Sequence, residues 1–93
     1  MDADHLKELK LYMHVDHSLD DGKIQRLWGC AVEYLEGAGI SQDDSNLVWL
    51  ATAGLTLHWY DHPELEGSDT NISLGLRTVI NQLKLSRGGE SYF

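Results

Sequence analysis

Ninety-three residues, 42% apolar and 24% charged, describe one folded domain rather than a disordered segment. A net charge of −8 leaves no cationic face for phosphate contacts, which argues against a surface that reads nucleic acid. No apolar run approaches the roughly 20 residues that span a bilayer, and a lone cysteine, Cys30, makes no internal disulfide. The acidic opening Met1-Asp2-Ala3-Asp4 is unlike a secretory signal, so a reducing cytoplasm is expected.

A first helix is predicted from about Asp4 to Met13, with Asp2 or Asp4 as its N-cap. Leu6, Leu9 and Met13 form a narrow apolar stripe, widened by Leu11 and Tyr12. His14 to Asp16 lie in an acidic connection. The second helix is expected to begin near Ser18 or Leu19, with Ser18 and Asp21 as a capping box. Ile24, Leu27, Trp28, Ala31 and Leu35 then mark one buried face, and Gly37 and Gly39 supply left-handed positions for its end. Gly29, beside that face, is the expected point of close approach for a neighbouring helix.

The third helix is predicted from about Asn46 to His62, where Pro63 stops it. Val48, Trp49, Ala51, Leu55, Leu57 and Trp59 leave it apolar on most sides, which predicts a central helix covered all round. An acidic loop follows over residues 61–71, with Gly67, Ser68 and Asp69 at its tip. A fourth helix spans about Ser73 to Leu85, with Ser73 as N-cap and Leu76, Val79, Ile80 and Leu83 inward. No strand period or internal repeat appears. The expected fold is all-α, a small four-helix bundle-like domain over residues 1–85, with an arm over 86–93.

Charge is uneven along the chain. From Ile72 onward Arg77, Lys84 and Arg87 face only Glu90, a net of +2, which leaves −10 on residues 1–71. Such asymmetry suits head-to-tail contacts or a partner of opposite sign, and it equally suits plain solubility. A domain this small buries only about 60–65% of its unfolded surface, so association with other copies is an expected source of stability.

Catalytic and metal chemistry find little footing. His58 and His62 share a helix face at a spacing that can serve one metal, but the residue after His58 is Trp59 rather than the glutamate of a zinc-protease motif, and no third ligand is near. Cys30, among Trp28, Gly29 and Ala31, reads as a buried structural thiol. Asp16, Asp20 and Asp21 lack calcium-loop spacing and read as helix caps. His5, His14 and His17 gather around the first joint, where titration in mild acid would be felt. No enzyme activity and no cofactor are expected. Trp28, Trp49 and Trp59 belong mainly to the core and are also the candidate interface aromatics. Tyr92 and Phe93, after two glycines, are a frayed end or an anchoring arm.

The wording of several segments is familiar. Leu6-Lys7 through Leu11-Tyr12-Met13-His14-Val15-Asp16 resembles the opening of the head–tail connector family, the small DNA-packaging adaptors of long-tailed bacteriophages and prophages. Asp20-Asp21-x-x-Ile24-x-x-Leu27 and Ala31-x-x-Tyr34-Leu35-Glu36 are similar to that family's second helix, His58-Trp59-Tyr60 to the end of its third, and Leu74-Gly75-Leu76-x-x-Val79-Ile80-x-x-Leu83 to its last. The likeness covers roughly residues 6–85. It departs where His14 replaces an arginine and where the proline common before the last helix is missing.

The resemblance implies a structural virion protein at the head–tail junction, assembled in the bacterial host cytoplasm. Its copies would form a ring, dodecameric on the portal protein, that extends the DNA channel and docks a tail-completion or stopper protein. DNA would pass through without specific binding. On that reading Arg87, Tyr92 and Phe93 would contact the portal or a neighbouring subunit, and Asp61, Glu64, Glu66 and Asp69 would line the channel or meet the next ring. The competing expectation is a small acidic regulatory or inhibitory protein that binds a basic partner.

Overall fold

The computed structural model describes residues 1–88, with side chains as far as Ser86. Its order is α1 (Ala3–Met13), α2 (Asp21–Gly37), α3 (Asn46–Asp61), a short 3-10 turn (Pro63–Leu65) and α4 (Leu74–Gly88). Among the described residues there is no strand, so the all-α, bundle-like architecture stands. The segment expected as an arm, residues 86–93, begins inside α4, which continues to Gly88. Tyr92 and Phe93 lie outside the described residues, as does the side chain of Arg87.

α3 is the axis on which α2, α1, α4 and the 3-10 turn all pack. Its sequence explains this: Val48, Ala51, Leu55 and Trp59 form one stripe, Ala53 points to another side, and all five are fully buried. A helix apolar all round gains only when every side finds a neighbour. Thr52 and Thr56 are buried too, and each hydroxyl donates to the carbonyl one turn back, on Val48 and Thr52 respectively.

Two cores result. The larger joins α2, α3 and α4 around Leu27, Leu35, Leu55, Trp59, Ile80 and Leu83. The smaller joins α1 to α2 and α3 through Leu9, Met13, Ile24 and Ala53. Close approach of α3 and α4 comes from Gly54, where a Cβ would lie 2.8 Å from Leu76 Cδ1. Gly29, the expected position for such an approach, faces open space. Both glycines fit the same helical period, and only the packing of α4 separates them.

The helix ends follow their local chemistry with one exception. Asp2 caps α1, its carboxylate accepting from the His5 N–H at 2.7 Å. Ser45 caps α3 and accepts from Leu47 and Val48. Ser73 accepts from the Leu76 N–H at the start of α4. α2 closes with a left-handed Gly39 (φ +88°), and the Ile40 N–H returns to the Leu35 carbonyl at 2.8 Å, which draws Ile40 into the core. The exception is the start of α2. Ser18 and Asp21 make no capping box; the cap position is Asp20, and its side chain makes no capping bond.

Candidate interaction surface

The acidic joint ahead of α2 holds tertiary structure rather than a helix end. Asp20 Oδ2 accepts the Tyr60 hydroxyl at 2.6 Å, which ties the joint to the end of α3. That bond, with burial and the charges of Asp20 and Asp61, pushes the Tyr60 phenol above its ordinary range. Lys10 of α1 pairs with Asp21 at 2.7 Å. Asp20 and Asp21, two of the three carboxylates read as caps from the sequence, are therefore taken by side chains from other helices.

The acidic loop is half neutralised. Glu66 receives a two-pronged bond from Arg26 of α2, at 2.6 and 3.1 Å. The guanidinium bond holds the Glu66 carboxyl below the usual carboxylate range, while the same bond raises Arg26. Asp69 lies 3.8 Å from Arg77, which also donates to the Asp69 carbonyl at 3.2 Å. Burial and the neighbouring Asp69 carboxylate raise Tyr34. Of the four acidic residues expected on a channel or next-ring loop, Glu66 and Asp69 thus fasten the loop to α2 and α4. Asp61 and Glu64 stay exposed, with Glu64 3.8 Å from His62. The left-handed Gly67 (φ +85°) turns the loop where its tip was expected.

The indole N–H of Trp59 donates to the Ser68 carbonyl at 2.7 Å, and its ring is fully buried. Trp59 therefore belongs to the core and offers nothing to another chain. Trp28 and Trp49 are half-buried, 6.3 Å apart between ring centroids, with Tyr12 edge-on to Trp49 and His5 edge-on to Trp28. Of the three tryptophans, these two keep accessible surface.

His58 Nε2 lies 2.9 Å from the Thr70 carbonyl, so that nitrogen carries the proton and donates. Its ring is 5.2 Å from that of His62. Among the described residues no three His, Cys, Asp or Glu side chains converge as a metal ion would need. Cys30 is half-buried rather than enclosed, with its sulfur 4.0 Å from Glu66. No helix of the described residues is long and apolar enough to cross a membrane.

A groove of about 530 Å³ runs along α3, between Tyr12 of α1 and the first half of α4. Leu50, Gly54 and Leu57 form its floor, Leu76 and Val79 one wall, and His58, Asp61 and His62 its polar end. It is the side of α3 that the other helices leave uncovered. Large apolar side chains stay exposed elsewhere on the surface, with Leu74 at 80% and Leu11 at 69%. Nothing in the local periodicity announced the groove, because a helix period shows which residues seek cover and not which side goes without it. No protein-family model matches the chain, and no curated protein or solved structure is significantly similar to it.

Proposed function

We propose that this chain is a head–tail connector subunit, which assembles into a ring beneath a phage portal and extends the channel through which DNA passes. The observation that carries this reading is the uncovered strip of α3. A helix apolar on every side, with a groove left along one of them, is what a subunit looks like when its neighbour completes the core. The occupant is a second copy of the chain. The groove ends in Asp61 within an acidic body, while the far end of α4 carries Lys84 and Arg87 in the sequence, so unlike surfaces of successive copies attract. A head-to-tail contact of this kind closes into a ring when the rotation permits.

The family likeness supports the same reading, and its separate segments meet in space. Asp20 from the second-helix motif bonds Tyr60 from the third-helix motif, and Leu76 of the last motif packs onto α3 at Gly54. The exposed carboxylates of Asp61 and Glu64 suit a wall past which phosphates slide rather than stick. Arg87, Tyr92 and Phe93 serve the contact with the portal or the neighbouring subunit.

Mass measurement in solution and electron microscopy, with and without a portal protein, test the reading. Rings that form on the portal, and are lost when Leu50 on the groove floor becomes glutamate, are the expected result. A chain that stays monomeric on every portal offered, and instead binds a basic protein, would make it a small acidic binding protein.

A further inference from the structure

We propose that the docking of α1 is a pH-sensitive latch, closed by the bond between neutral His5 and Trp49 and opened by mild acid. The Trp49 indole N–H points at His5 Nε2 from 3.2 Å. Indole nitrogen only donates, so His5 must accept, which it does only as the neutral imidazole with its proton on Nδ1. Protonation replaces the acceptor by a second donor, and the bond is lost. His17, in the joint that follows α1, is a second acceptor: its Nδ1 takes the Leu19 N–H at 3.2 Å. Two histidines, one in the first turn of α1 and one in the joint after it, are thus used as acceptors, a role the doubly protonated ring does not have. His58 behaves oppositely, since a donor to a carbonyl keeps its bond when charged.

The surroundings give a charged His5 somewhere else to go. Asp2 at the N-cap and Glu8 one turn on come from α1 itself, and Asp43 and Asp44 from the connection before α3. Glu8, Asp43 and Asp44 border the same depression as His5 and Trp49, while α2 contributes uncharged Trp28 there and α3 contributes Asn46 and Trp49. An imidazolium is drawn to those carboxylates and away from the indole. Another polar tie of α1, Lys10 to Asp21, involves no group of the type that titrates between pH 5 and 8. His14, exposed at the C-terminal end of α1, favours the helix when charged but makes no tie to α3.

The sign follows. The latch bond is present while the His5 ring is neutral and is lost when it takes up a second proton. Only Leu9 and Met13 anchor α1 with fully or nearly buried side chains, so a single bond weighs heavily. Opening uncovers Ile24 and Ala53 and removes Tyr12 from one wall of the α3 groove. The inference does not depend on the connector reading.

Amide hydrogen exchange on the full chain at pH 7.5 and 5.0, corrected for intrinsic rates, tests it. The α1 amides should exchange about threefold to tenfold faster at pH 5.0, the effect of one lost hydrogen bond, while α4 amides hold. His5→Gln, which keeps an acceptor oxygen but does not titrate, should flatten the response. A wild-type α1 whose protection ignores pH, or a response that persists unchanged in His5→Gln, overturns the latch. Imidazole nitrogen shifts in the wild type give a reading independent of any variant. At pH 7.5 His5 must be the neutral Nδ1–H form, and an Nε2–H or charged ring overturns the proposal.

Discussion

On the α4 flank of α3, a continuous apolar core runs from Leu35 to Leu83, and the following loop is fastened by bonds from Trp59 and His58 to the carbonyls of Ser68 and Thr70. On the α1 flank the fully buried contacts are few, and polar ties carry more of the docking: Trp49 to His5 and Lys10 to Asp21. Both flanks belong to one small domain, yet they rest on different physics. Apolar burial varies little with pH or salt, whereas bonds to titrating or charged groups vary with both. Regions with few buried contacts open first, so α1, docked on the smaller core, should open more readily than the middle of α4, whose Ile80 and Leu83 join the larger one.

The largest effect that would blur this difference comes from the centre of the larger core, whose loss unfolds the whole domain. Trp59→Ala removes a fully buried ring and should cost about 3–5 kcal/mol in urea unfolding, with exchange rising in α1 and α4 together. If α4 keeps its protection while α1 loses it, the α4 flank does not depend on the central core as argued. A middling effect should come from Gly54→Leu. The new side chain meets Leu76 where a Cβ alone would stand 2.8 Å away, so overpacking should cost about 1–3 kcal/mol. Gly54→Ala should be much milder, because the atom it meets is the free end of a flexible leucine and alanine favours the helix.

The parts of this contrast that depend on local pattern were legible in the sequence. The period of apolar residues placed all four helices, the all-round apolar character of α3 marked it as the axis, and Ser73, Gly39 and Pro63 bound elements by rules that act within a few residues. What was not legible is set across long separations. Asp20 and Asp21 follow a capping pattern, but Tyr60 and Lys10 compete for their carboxylates once the helices pack. Glu66 and Asp69 looked like free loop charges until Arg26 and Arg77 arrived from other elements. The donor-to-acceptor sense of the His5–Trp49 contact has no sequence signature at all, since it depends on which nitrogen meets the indole. Of the residues expected at a partner contact, Tyr92 and Phe93 lie beyond the described structure.

The smallest of these effects isolates the tie between the acidic joint and α3. Tyr60→Phe keeps the ring and deletes the hydroxyl that bonds Asp20, at an expected cost near ~1 kcal/mol at pH 7. The phenol is raised in the folded chain, so its contribution is fully present below the ordinary tyrosine range, near ~10, and fades as pH climbs through the folded value. Urea midpoints of the two proteins should therefore converge under alkaline conditions above that range. A gap that stays constant there would mean the hydroxyl's donation to Asp20 is not what stabilises the joint. Exchange should rise mainly at the start of α2 and in α1, because Asp20 and Asp21 are adjacent and Asp21 holds Lys10. If it rises equally in α4, the two flanks are coupled through Tyr60 and the contrast between them is one of degree.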